Sequence, residues 1–320
     1  MKTANLFKAI GASLVLGLAL GASGAQAEYP EKDVTYIIPF NPGGESDVTA
    51  RLQEPAFKEI TGHSFVFQYK TGAGGATAWS QLNQLPADGY TIMGFNLPHL
   101  FLQPMGGNVG YKTEDIEVVY IFQLTPFALV VPADSPIKTL EDYIARAKQA
   151  PGSITVAGTG TNSANHVAQT LFNHQAGIQT TYIPFTGTAA TTAALLGNQV
   201  QAQWSFTTVG VEQGDKVRML AVAMDERHPL FPNVPTFKEK GFDLSDGARR
   251  GVAVPKGTPE GIKKRLSGIM GRINQDPKFV QTMKEGGYIL IDVPYEEVPV
   301  YMERLRKQYQ QAGELLGLVK

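Results

Sequence analysis

Val34-Thr35-Tyr36-Ile37-Ile38-Pro39-Phe40-Asn41-Pro42-Gly43-Gly44-Glu45-Ser46-Asp47 is a strand running into a turn and then into a helical pattern. Its first five residues are β-branched or aromatic, the types that suit a pleated, buried surface. Two prolines stiffen the turn, and two glycines let another group approach without meeting a Cβ. The helix that follows aims its unpaired amides and positive dipole end at whatever lies above the turn. Such a place holds anions readily. The competing reading is an ordinary strand-to-helix turn capped by Ser46 or Asp47, and Asp47 reads as a cap rather than a ligand contact.

The same alternation continues outward. Strand patterns recur at 65–69, 90–94, 127–131, 154–157, 180–183, 200–204, 217–223, 251–254 and 288–291. Helical patterns lie between them. Thr139-Leu140-Glu141-Asp142 forms a capping box, followed by an apolar stripe of Leu140, Tyr143, Ile144 and Ala147. Thr258-Pro259-Glu260 reads as a cap, a first-position proline and a first-turn acid, with Ile262, Leu266, Met270 and Ile273 as the buried stripe. Val298, Tyr301, Leu305 and Tyr309 mark a last helix. Alternation of this kind predicts an α/β fold with mostly parallel sheets. Pro55 falls inside the first helix and predicts a kink or break there. With 320 residues, no linker and no low-complexity tract, the chain suits two lobes entered and left by crossing strands. We expect crossings near Phe127 and Asp246. The first lobe then takes 28–127 and 247–320, and the second takes 128–246.

A second strand-to-helix turn is Gly158-Thr159-Gly160-Thr161-Asn162-Ser163-Ala164-Asn165-His166. It departs from a dinucleotide fingerprint, because Ser163 stands at the third glycine and no acid follows to hold a ribose. From Tyr143 to Val211 there is no carboxylate, while Thr159, Thr161, Ser163, Thr186, Thr188, Ser205 and Thr207 supply hydroxyls. A lobe without acids and rich in donors suits a carboxylate ligand; the competing reading is a low-charge lobe with threonine-rich strands. Phe185-Thr186-Gly187-Thr188 precedes a further helix ending at Gly197. Asn162 and His166 lie at the second turn. Asn96 and His99 follow a strand and line a cleft, as do Phe40 and Phe185, whereas Trp204 reads as core. Arg249 and Arg250 are adjacent on a strand, so they point opposite ways. We assign Arg250 to the cleft, where its planar fork grips a second ligand carboxylate, and leave Arg249 to solvent or a salt bridge. The expected ligand set is Phe40, Gly43, Gly44, Ser46, Asn96, His99, Thr159, Thr161, Asn162, Ser163, His166, Phe185, Thr186, Gly187, Ser205 and Arg250.

Composition narrows the function. The net charge is −1, with no basic excess to neutralise a nucleic acid. Cysteine is absent, which excludes disulfides and thiolate chemistry. The five histidines form no close metal-ligand pair, and no hydrolase elbow or phosphate-binding loop is present. No cofactor is called for. Lys2 and Lys8, an uncharged run over 9–22 and Ala25-Gln26-Ala27 read as an export signal cleaved after Ala27. Its loss removes two lysines and takes the charge from −1 to −3.

In order and spacing, "PFNPGGESD" (39–47), "TGAGG" (71–75), "PADGYTIMG" (86–94), "GTGTNSANH" (158–166), "YIPFTGTAATTAALLGNQV" (182–200), "LAVAMDERHPLFPNVPTFKEKGF" (220–242) and "RGVAVPKGTPEGI" (250–262) resemble one family. It is that of the periplasmic solute-binding proteins of tripartite tricarboxylate transporters, the Bug or TctC-like family. The resemblance spans the chain beyond the export signal. It implies a two-lobed, type II-like flytrap whose two turns hold a carboxylate with bridging waters. It also implies a periplasmic monomer delivering a di- or tricarboxylate to integral-membrane permease subunits. Glu45 departs from the family, which commonly has Gly, Ser or Thr there. It faces solvent or restricts the ligand. A secreted α/β hydrolase, which needs a nucleophile–base pair, and a binding protein feeding a sensor are the competing functions.

Overall fold

The computed structural model describes residues 29–318; the export signal expected at 1–27 lies outside them. Strands β1 (Val34–Ile38), β2 (Phe65–Tyr69) and β3 (Thr91–Leu97) pair in parallel in the order β2-β1-β3. Helix α1 (Glu45–Thr61) and the short α2 (Ala76–Trp79) lie between them in the chain, and α3 (His99–Met105) follows β3. Strand β4 (Glu117–Pro132) then runs the length of both lobes. In the second lobe it is followed by α4 (Leu140–Gln149), β5 (Thr155–Thr159), α5 (Ala164–Ala176), β6 (Thr181–Phe185) and α6 (Thr188–Leu196). Next come β7 (Ala202–Phe206), α7 (Thr208–Gln213) and β8 (Val217–Val222). Strand β9 (Gly247–Val254) returns between β3 and β4, and α8 (Glu260–Gln275), α9 (Pro277–Glu285), β10 (Ile289–Val293) and α10 (Val298–Leu315) complete the first lobe.

The sheet is mixed rather than mostly parallel. Parallel pairs are confined to β1–β2, β1–β3, β5–β6 and β5–β7. Every pairing of β4 and β9 is antiparallel. These two connecting strands traverse the molecule in opposite directions, which an α/β alternation alone does not reveal. They run side by side at the crossing, where the Phe127 amide donates to Asp246 O at 3.1 Å. Pro126 sits inside β4 where its partner changes from β9 to β7 and β8, so its missing N–H falls at the handover. Opposite it, a Cβ on Gly247 would stand 2.1 Å from Thr125 O, so only glycine allows this approach.

Apolar side chains divide largely accordingly, with Val167 of α5 packing into the first-lobe core and Ala248 of β9 into the second. One set of cores runs through Val34, Phe57, Tyr120, Val252, Leu266 and Met270, and through Leu100, Ile121, Leu305 and Tyr309. The other gathers Phe127, Leu140, Tyr143, Phe172, Trp204 and Phe237, with Ala128, Leu195 and Val222 on the opposite face of the sheet. The Thr139–Asp142 capping box forms as expected. Two local expectations fail. Helix α1 continues through Pro55, whose ring is exposed; the carbonyl it leaves unpaired belongs to Arg51, while Gln53, Ala56 and Phe57 anchor the buried side. Thr258 does not cap α8. Its hydroxyl donates to Pro255 O at 2.7 Å, and Pro259 occupies the cap position.

Candidate functional site

The first strand-to-helix turn meets the second lobe directly. Gly44 is the N-cap of α1 and lends no side chain. Asp47 is not the cap: from the first turn of α1 it reaches back to accept from the Gly43 amide at 2.8 Å and is held by Arg51 and Tyr69. The Glu45 amide donates to Thr188 Oγ1 at 2.8 Å, at the start of α6, and Asn41 Nδ2 donates to Thr186 Oγ1 at 2.7 Å. A Cβ on Gly44 would sit 3.1 Å from Thr188 Oγ1 and 3.3 Å from Asn41 O, so this glycine is what lets the two lobes close together. Gln103 of α3 adds a bond across the cleft, donating to Thr161 O at 2.7 Å.

Beneath that contact lies a buried ion pair. Arg250 and Glu45 are 4% and 3% exposed, and Arg250 Nη2 donates to Glu45 Oε2 at 2.6 Å. The other two guanidinium nitrogens also donate. Nη1 donates to Thr125 Oγ1 and Nε to Ser46 Oγ, each at 3.2 Å, and the plane rests 5.1 Å from the centre of the Phe206 ring. Turned with its carbonyl inward, the Asn96 amide accepts from Arg250 Nε and Ser46 Oγ, both at 3.3 Å. Burial pushes the Glu45 carboxyl up from its ordinary range and Arg250 pulls it down, burial being the larger effect. The guanidinium is the countercharge to the buried carboxylate, so removing either member would strand the other away from water. Glu45 Oε1 is buried with no donor of good hydrogen-bond geometry. Glu212 of α7, although its surface is largely exposed, feels the same region: desolvation and then the Glu45 charge push its carboxyl up to about 7.

His99 opens α3 and is 1% exposed, edge-on to Phe40 at 5.7 Å between ring centres. Neither ring nitrogen has a partner. Burial, with the Arg250 charge second, pushes it down to about 3, so it is neutral at pH 7. Strand alternation sends Arg249 the other way, as expected, but into protein rather than solvent. It donates to Asp246 at 2.7 Å, to Tyr301 at 2.9 Å and to Tyr309 at 3.0 Å.

The second turn is built differently. Ser163 caps α5, accepting from the His166 amide at 3.2 Å, and its hydroxyl meets Tyr182 Oη at 3.1 Å. His166 Nδ1 accepts from the Asn162 amide at 3.2 Å while its ring stacks on Tyr182 at 4.4 Å. The Thr159 hydroxyl donates to Asn165, which is anchored to Trp204 O at 3.0 Å. Neither α5 nor α6 carries an acid in its first turn.

Phe40, Ser46, Asn96, His99, Thr159 and Arg250 come together around a narrow space of about 10 Å³, with Glu45, Thr188 and Phe206 completing the wall. Gly44, Thr186 and Gly187 lie at the lobe contact, whereas Gly43 is exposed and open. Thr161 is exposed, and Asn162, Ser163 and His166 are engaged within their own turn. Phe185 packs against the second-lobe core, and Ser205 is buried beside Ala128 in the sheet. Sequence reasoning missed Thr125, Thr188 and Phe206 as members of the site. Phe206 follows Ser205 on β7, and choosing one face of a strand forfeits the other. Glu45 was visible as a departure from the family pattern, but its burial was not.

Residues 49–316 match the model of the "Tripartite tricarboxylate transporter family receptor". The chain is 30% identical over 304 residues to the Cupriavidus necator "UPF0065 protein in gbd 5′ region", covering 94% of this chain and 89% of that one. Among solved structures, the periplasmic binding protein BugD superposes with a TM-score of 0.83 at 27% identity, covering 89% of this chain and 99% of that one. MatC from Rhodopseudomonas palustris with bound malate superposes with a TM-score of 0.81 at 25% identity, covering 90% and 99%.

Proposed function

The chain belongs to the receptor family of tripartite tricarboxylate transporters, a substrate-binding protein with the two-lobed periplasmic-binding-protein fold. From that membership we propose that it captures a small organic acid between its lobes and delivers it to membrane permease subunits, as a monomer and without turnover. The observation that carries this reading is the narrow space between the two lobes, walled by buried polar groups from both and bordered by the acid-free start of α6. Malate bound to the related MatC is in keeping with it. Phe40, Ser46, Asn96, His99, Thr159 and Arg250 form the proposed wall, with Gly44 and Gly187 allowing the turns to meet and Gly43 shaping its own turn. Lobe limits of 28–127 with 247–320, and 128–246, are supported by the division of the cores on either side of the β4 and β9 crossing. Export with cleavage after Ala27 completes the proposal.

A ligand favours the closed arrangement only by binding it better than the open one. A thermal-shift panel of organic acids on the mature chain tests the reading. At a concentration about 100 times Kd, a ligand adds about 2.7 kcal/mol of stability and raises the melting midpoint by several degrees. Small-angle scattering with the same acid should show a smaller radius. Chemical conversion of the bound acid would replace the binding reading with an enzymatic one.

A further inference from the structure

We infer that Glu45 makes the Arg250 end of the cleft a subsite for an N–H donor, so that the organic acid bound here carries an ammonium or amide group facing Glu45. This rests on the proposed function and deepens it.

Three observations carry the inference. First, each nitrogen of the Arg250 fork already gives one N–H to protein. Its donors go to Glu45, Ser46, Asn96 and Thr125, and its face lies on Phe206. A ligand carboxylate brought to this end meets the fixed Glu45 carboxylate beside the guanidinium, and like charges at close range repel strongly in a dry site. Second, Glu45 lines the cavity, and its buried Oε1 has no donor of good hydrogen-bond geometry, the Thr125 hydroxyl being the side-chain group that acts on the carboxyl besides Arg250. An ionised carboxylate oxygen can only accept, and a buried acceptor left unmet is costly. A ligand N–H is the group that satisfies it. Neutral His99, also unpartnered and on the same wall, supplies one further N–H and one acceptor.

Third, the charges sum differently across the cleft. Arg250 and Glu45 cancel, and Asp47 already answers the start of α1. The first lobe therefore offers no net positive charge. The helix starts of α5 and α6, free of acids, remain to attract a carboxylate. The ligand is thereby oriented, with carboxylate toward the second lobe and N–H toward Glu45.

Calorimetry on the purified mature chain tests this with matched probes of four to six carbons. Each set holds the α,ω-dicarboxylate, its monoamide, the ω-amino acid and the plain monocarboxylate. The best-fitting amide or amino acid should bind at least tenfold more tightly than its dicarboxylate and monocarboxylate counterparts. The two N–H arms separate ammonium from amide. In Glu45→Gln the preference should move at least tenfold toward the dicarboxylate. A smaller shift in a variant that keeps the parent circular-dichroism spectrum overturns the inference. If that variant does not fold, the ranking on the parent decides alone. Dicarboxylates binding best to the parent overturn the inference and leave the proposed function standing. Failure of every acid in the series to bind overturns both.

Discussion

The turns after β1 and β5 share a plan of strand, glycine-containing turn and helix start, yet their electrostatics are opposite. The α1 start has Glu45 and Asp47 in its first turn, and Asp47 bonds back to Gly43. The α5 start has only the Ser163 hydroxyl, inside a stretch without acids. A helix N-terminus attracts anions through about half a positive charge, which carboxylates one turn away readily offset. Equivalent backbone geometry therefore gives one end of the cleft that has answered its own charge and one that has not.

The strongest way to break this contrast is Arg250→Ala. It leaves Glu45 buried without its partner, and loss of one member of a buried pair costs about 3–5 kcal/mol. Urea melts should show that loss together with impaired binding. Arg249→Ala removes the partner of Asp246 instead, and should lower stability while leaving the affinity of the folded protein largely intact.

A pH series probes the same side more gently. His99 is held at about 3, below its unfolded value near 6.5. The unfolded chain thus takes up the proton first. The contribution is complete above pH 6.5 and is lost as pH falls toward 3. Between pH 7 and pH 5 the parent should lose about 2 kcal/mol more than His99→Gln. Glu45 shifts in the opposite sense, upward, but it is present in both proteins and cancels in the difference. Equal slopes would mean that His99 is protonated within the fold.

Gly44→Val addresses the contact between the turns. A branched side chain beside Thr188 should hold them apart and weaken ligand binding at least tenfold, about 1.4 kcal/mol, with a smaller change in the melting midpoint. Unchanged affinity would show that closure does not need this approach. The smallest effect is expected of Ser163→Ala, a lost cap worth about 1 kcal/mol of stability. If affinity falls instead of stability, Ser163 belongs to the ligand rather than to its helix.

Much of the fold is legible in local chemistry. The Thr139–Asp142 box and the stripes of α4 and α10 need only near neighbours to be recognised. The misreadings depend on distant partners. The first half of β4 shows no clear alternation, because both of its faces are covered and Pro126 interrupts the pattern. Pro55 would break an isolated helix, but here its ring is exposed and the buried residues of α1 keep the helix continuous through it. For the site, residue type was enough to suggest Arg250, Asn96 and His99 as cleft residues. It was not enough to show that Glu45, 205 residues earlier in the chain, lies on the same guanidinium. Long-range pairing of charges leaves no periodic trace.

The placement of β9 governs the order in which the molecule can be assembled. It lies between β3 and β4, yet it follows them by more than a hundred residues. While the chain is being made, β3 and the first half of β4 therefore lack the strand that joins them. The second lobe, whose strands are contiguous in sequence, can pair internally during that interval. Unpaired edges invite association with other chains. Substitutions that weaken β9, at Gly247 or Gly251 above all, should therefore show themselves first as poor yield during synthesis rather than as altered ligand affinity in the finished protein.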